Sequence, residues 1–148
     1  MMALTMLNVP GGNESDAPTD PALLASIKAQ GFDQVRIDIQ DLDPARGRTR
    51  AEEVLAAGLQ PLCIINNGAQ LRDMPPGVLF DFGNEPDLNK DGRWPSWHRY
   101  YMACGEAVQI ASLIHRYTPG QIGRLYVGSI SNLDRDSLRY LRRLPIAE

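Results

Sequence analysis

The sequence predicts an α/β domain whose parallel sheet is assembled from about five βα units. Three observations carry this expectation. Short apolar runs alternate along the chain with longer segments whose apolar residues recur at helical spacing. Helix-opening and helix-closing signals fall between those runs in the right order, with a capping side chain before and a Gly after. In the clearest strand, Val35, Ile37 and Ile39 alternate with Arg36 and Asp38, so one strand offers an aliphatic face and a polar face.

The first strand is expected from Leu4 to Val9, followed by a Pro10-Gly11-Gly12-Asn13 loop. A helix then opens at Asp20-Pro21, an N-cap with Pro in the first turn, and closes at Gly31. The second strand is Asp33 to Ile39. Its helix is announced by a capping box, Thr49-Arg50-Ala51-Glu52, and ends at Gly58. Pro61 to Asn66 reads as the third strand and Val78 to Phe82 as the fourth. Parallel strands usually need a crossover of about a dozen residues or more, so the short link between these two predicts an abbreviated helix around Ala69 to Asp73. A long helix follows Pro95, with Trp97, Tyr101, Cys104, Val108 and Ala111 as its core-facing stripe. The fifth strand is Arg124 to Ile130, and an amphipathic stretch from Ser137 to Leu144 follows it.

A chain of 148 residues, 43% hydrophobic and 22% charged, suits one soluble domain with one core. Its formal net charge of −3, with no Lys/Arg run carrying interleaved aromatics, argues against a nucleic-acid partner. No apolar stretch approaches the ~20 residues that span a bilayer, and Met1 to Asn8 shows no basic n-region or cleavage site. No membrane partner is expected, and without a visible signal the default location is cytoplasmic. Cys63 and Cys104 lie in apolar runs and read as buried small hydrophobes. His98 and His115 share a helix but not single-turn metal spacing, so neither a metal nor an organic cofactor is expected.

The motif with chemical content is Gly83-Asn84-Glu85-Pro86, standing where the fourth strand ends. In a parallel α/β sheet the carboxyl ends of the strands form the ligand-binding face, so Glu85 is offered to that face and Pro86 pins the turn behind it. The motif and its place in the strand order resemble the fourth strand of the retaining glycoside hydrolases built on (β/α)8 barrels. That large clan includes cellulases, xylanases, mannanases and other glycosidases. The resemblance implies a partial (β/α)8 TIM-type barrel, a carbohydrate substrate, Glu85 as general acid/base and Asn84 as the group that hydrogen-bonds the sugar 2-hydroxyl. As a strand order it covers nearly the whole chain, while Asn84-Glu85-Pro86 is its specific element.

A complete barrel of this type takes about 250 residues. Residues 1–148 are therefore expected to form a single incomplete barrel domain with strands six to eight absent. In the clan, the nucleophile is a second Glu at the end of strand seven, which this chain lacks. Retaining hydrolysis needs two carboxyl groups about 5 to 5.5 Å apart, so the chain reads as a fragment or truncated form of a glycoside hydrolase, inactive by itself. Open sheet edges imply self-association.

Other strand ends add polar groups. Arg36 and Asp38 share inward parity, and either bind sugar or form an ion pair that fills the barrel mouth. An Arg at this place occurs in many members of the clan, where it orients the nucleophile. Asn66 and Asn67 end the third strand, and Ser129, Ser131 and Asn132 end the fifth. Such amides and hydroxyls suit sugar hydroxyls and are equally routine as caps and turns. Trp94, in the loop after the fourth strand, is the aromatic candidate for stacking on a sugar ring. The Pro10-Gly11-Gly12-Asn13 loop lacks a dinucleotide fingerprint and Gly128-Ser129-Ile130-Ser131 is no nucleophile elbow, which argues against nucleotide binding and serine hydrolysis. Two alternatives remain: a non-catalytic carbohydrate-binding or assembly protein with a half-barrel fold, and an unrelated doubly wound five-stranded domain in which Glu85 is incidental. A continuous strand order from one to five favours the hydrolase reading, and a reversal removes it.

Overall fold

Alternation with period two leaves Val35 and Ile37 buried and Arg36 and Asp38 half-buried, whereas Leu62, Cys63, Ile64 and Ile65 are all buried. The computed structural model describes residues 6–8, 20–83, 96–127 and 142. Strands β1 (Met6–Asn8), β2 (Gln34–Asp38), β3 (Gln60–Ile65), β4 (Val78–Phe82) and β5 (Ile122–Val127) form one sheet in the order β1-β2-β3-β4-β5. Every neighbouring pair is parallel. Helices α1 (Pro21–Ala29), α2 (Pro44–Ala56) and α3 (Trp97–Tyr117), with a 3₁₀ turn at Gly68–Leu71, link them. The order has no switch point among the described strands, which excludes the doubly wound alternative. Right-handed crossovers in an unreversed order put every helix on one face. Burial agrees: Val35, Ile37, Cys63, Ile65, Val78, Phe80 and Phe82 join Leu24 and Ile27 of α1, Val54 of α2 and Tyr100 and Cys104 of α3 in one hydrophobic cluster.

The caps explain where the helices start. Asp20 Oδ1 accepts from the Ala22 amide at 2.9 Å, with Pro21 in the first turn, as expected. The expected capping box of α2 is not its start. Asp43-Pro44 repeats the Asp20-Pro21 signal ahead of Thr49, and Asp43 Oδ1 caps the Arg46 amide at 3.1 Å. Thr49 therefore lies inside the helix and donates its hydroxyl to Ala45 O, while Glu52 pairs with Arg48 one turn before it. The abbreviated crossover is present as the 3₁₀ turn Gly68–Leu71, slightly earlier than expected. Gly68 lets α3 pack closely on this turn: a Cβ there would stand 2.5 Å from Ile110 Cδ1.

The core stripe of α3 needs one correction. Tyr100, Cys104, Ala107 and Ala111 are its buried residues, whereas Tyr101 is 37% exposed. Tyr100 takes the inward place because its ring packs against Phe82, its edge meets Trp97, and its hydroxyl has a backbone carbonyl to bond. The fifth strand begins at Ile122, earlier than expected, and the stretch from Ser137 to Leu144 lies outside the described residues, apart from exposed Arg142. Because the 3₁₀ turn replaces a full helix, a groove of about 580 Å³ opens in the helical layer between Arg48 of α2, Arg72 to Pro76, and Ile114 and Thr118 of α3. Among the described residues, no helix is long and apolar enough to cross a membrane.

Cys63 and Cys104 are both free and buried, as the sequence suggests. Burial pushes each thiol up from 9.0 to about 12. Two outcomes are expected. Thiol reagents react with the native protein only as fast as it unfolds, because the reactive thiolate is suppressed. Between pH 9 and 12 the unfolded chain has released protons that the folded chain keeps, so stability is fully present below pH 9 and falls as pH rises towards 12. Urea titrations across that range should show a smaller alkaline loss when both cysteines are replaced by Ala.

Candidate functional site

The face of the sheet opposite the helices carries the polar candidates. Parallel register brings Arg36, Leu62 and Leu79 into one row and Asp38, Ile64, Asp81 and Tyr126 into the next. Arg36 and Asp38 share this face, as their parity requires, while Val35 and Ile37 face the helices.

Within this surface, Arg36 does not pair with Asp38. Its Nη2 donates to Asp81 Oδ2 at 2.7 Å and its Nε to the same oxygen at 3.3 Å. Neighbouring parallel strands lie about 4.8 Å apart, so β2 and β4 are separated by roughly twice that, a span that a long guanidinium side chain bridges over Ile64 and Leu62. The Asp38 side chain is on the same strand as Arg36 and is taken up locally instead. Its Oδ1 accepts from the Gln40 amide at 2.9 Å and its Oδ2 from Gln40 Nε2 at 3.1 Å. The Arg36–Asp38 ion pair, one of the two roles open to these residues, is thus replaced by a long-range pair whose side chains are only 14% and 5% exposed. Such a pair is strongly coupled to the fold, since removing one partner takes a countercharge from the other in a poorly solvated place.

The carboxyl ends of β2 and β3 are tied by one side chain that the sequence reading passed over. Gln70 Nε2 donates to Ile39 O at 2.8 Å and Gln40 O at 3.2 Å, while its Oε1 accepts from the amides of Asn66 at 2.9 Å and Asn67 at 3.3 Å. Gln70 is buried and satisfies four backbone groups of two loops. The signal was present: Asn67 and Gln70 stand at N-cap and N3 spacing, and they form a capping box. Asn66 sits on this rim, with its Oδ1 accepting from Asn67 Nδ2 at 2.8 Å. Its amide thereby joins the rim network beside Gln70.

The end of β4 is anchored twice. The Gly83 amide donates to Ile65 O at 2.7 Å, and Tyr100 Oη donates to Phe82 O at 2.9 Å. Gly83 then leaves the strand in the left-handed region at φ 72°, a turn that suits Gly best. The strand end from which Asn84 and Glu85 follow is therefore rigidly held on the carboxyl-terminal rim. Asn84, Glu85, Trp94, Ser129, Ser131 and Asn132 themselves lie outside the described residues. Asp81 and Tyr126 are the two described residues of this surface that the sequence reading missed. Among the described residues, no group of three or more His, Cys, Asp or Glu side chains stands close enough to hold a metal ion. Comparison of the chain with protein-family models, with curated proteins and with solved structures finds no match.

Proposed function

We propose that this chain carries the acid/base half of a retaining glycoside hydrolase site on a partial (β/α)8 barrel, with Glu85 as acid/base and Asn84 orienting the sugar 2-hydroxyl. The observation that supports the reading is the unreversed parallel order β1-β2-β3-β4-β5, with the motif following directly on the anchored end of β4. In this role Glu85 first donates a proton to the glycosidic oxygen and then, as carboxylate, activates the water that releases the glycosyl-enzyme. By the same resemblance the nucleophile belongs to a seventh strand. The residues in hand thus supply substrate contacts and an acid but not the covalent route.

One observation favours a second reading, a carbohydrate-binding half-barrel without catalysis. Arg36, the counterpart of the clan's nucleophile-orienting Arg, is engaged by Asp81. A single set of measurements separates the two. The 148-residue chain is expected to bind oligosaccharides weakly and to show no turnover of aryl glycosides. Hydrolysis that vanishes in Glu85→Gln would instead assign the second carboxylate to this chain, with Asp38 the first to test. Absence of any oligosaccharide binding would remove the carbohydrate reading altogether.

Among the described residues the sheet order ends at β1 and β5, and we also propose that two copies associate through these edges. Sedimentation is expected to show concentration-dependent dimers, and a monomer at every concentration would exclude edge pairing.

A further inference from the structure

A bulge in β5 changes which residue of that strand reaches the face opposite the helices. Val78 aligns with Ile122, but Phe80 aligns with Leu125, so Gly123 and Arg124 together stand opposite Leu79. Had the pairing continued without the extra residue, Tyr126 would align with Phe82 and face the helices. With it, Tyr126 aligns with Asp81 and shares the face opposite the helices, while Leu125 and Val127 pack against the core. Gly123 is what permits the bulge: a Cβ there would lie 2.6 Å from Leu79 Cδ2 and 2.7 Å from Gly77 O. The outcome is a phenol ring, 44% exposed, directly beside the 4% exposed Asp81 and its Arg36 partner.

We propose that Tyr126 is a substrate-contact residue, the ring on which a pyranose stacks next to the Arg36–Asp81 pair. The argument rests on the carbohydrate reading of this site and extends it by naming where the sugar lies. An aromatic face offers apolar area to the C–H face of a sugar ring, while its hydroxyl stays hydrated. On the same face Ile64 and Asp81 are buried while Arg36 and Asp38 are half-buried, so polar groups able to bond ring hydroxyls lie on the face that the ring shares. Bulges are over-represented beside active sites, where they re-aim a side chain, and here the re-aimed residue is aromatic.

The test is an NMR titration of the isotope-labelled chain with cellohexaose, xylohexaose and mannohexaose, following the Tyr126 ring resonances. With whichever probe binds, the ring signals shift, Tyr126→Ala weakens binding about tenfold, and Tyr126→Phe and Tyr126→Trp retain it. Thermal unfolding of the three variants stays close to that of the parent, which separates loss of contact from loss of fold. If the parent binds and Tyr126→Ala binds equally well, the stacking assignment falls and the carbohydrate reading stands. If the parent binds and Tyr126→Ala loses binding, Tyr126 keeps its role whether or not aryl glycosides turn over, since the acid/base reading itself expects no turnover from this chain. If none of the three sugars binds the parent, both fall together.

Discussion

Replacing Asp81 by Ala is expected to cost about 3–5 kcal/mol of folding stability, the range for breaking a buried ion pair from one side. The Asp81 side chain is 5% exposed and holds the Arg36 guanidinium at 2.7 Å, so its removal leaves a positive charge in a poorly solvated place without the carboxylate it faces. For a chain of this size each kcal/mol lowers the melting temperature by about 2–4 °C, and urea denaturation at neutral pH reads the loss directly. The paired change Arg36→Met with Asp81→Leu is expected to restore most of it, because a well-packed apolar pair escapes the desolvation penalty that both ions carry. A loss below about 1 kcal/mol in Asp81→Ala is the size of an exposed pair, and would mean that water reaches the sheet face between β2 and β4.

That pair also marks the boundary of what local pattern reveals. Strand β4 was legible to the residue, because Val78, Phe80 and Phe82 alternate cleanly and Gly77 and Gly83 close both ends in left-handed turns. The inward parity of Arg36 and Asp38 was equally plain, since it follows from period two alone. Their partners were not. Asp38 and Arg36 are neighbours in sequence, yet Asp38 closes a local turn with Gln40 while Arg36 reaches two strands away. Only the pairing order brings Asp81 near, and no spacing rule carries that information. The start of α2 was missed for a different reason: two capping signals compete, and Asp43-Pro44 wins because Pro in the first turn is already set for a helix. Tyr126 was invisible for a third reason. Its face depends on a bulge, which is defined by two strands together and leaves in one sequence no more than a Gly.

Gly123→Ala tests that last point, and it should cost about 1–3 kcal/mol, as overpacking does. Of the atoms its Cβ would meet, Leu79 Cδ2 at 2.6 Å can swing away, but Gly77 O at 2.7 Å and Val78 O at 3.1 Å belong to the backbone of the adjoining strand. The strands must therefore separate or the bulge must close. If it closes, Tyr126 moves out of line with Asp81, so the loss of stability should come with a changed environment for its ring, read from its NMR shifts and near-ultraviolet dichroism. Gly31→Ala is the comparison. At φ 87° it meets nothing within 4 Å, so its penalty comes from backbone strain alone and should leave the Tyr126 signals where they are. Were Gly123→Ala to unfold like the parent with Tyr126 unmoved, the β5 backbone would be free to shift by several tenths of an ångström. The bulge would then not be what aims the ring at the face opposite the helices, and the stacking position assigned to Tyr126 would need another support.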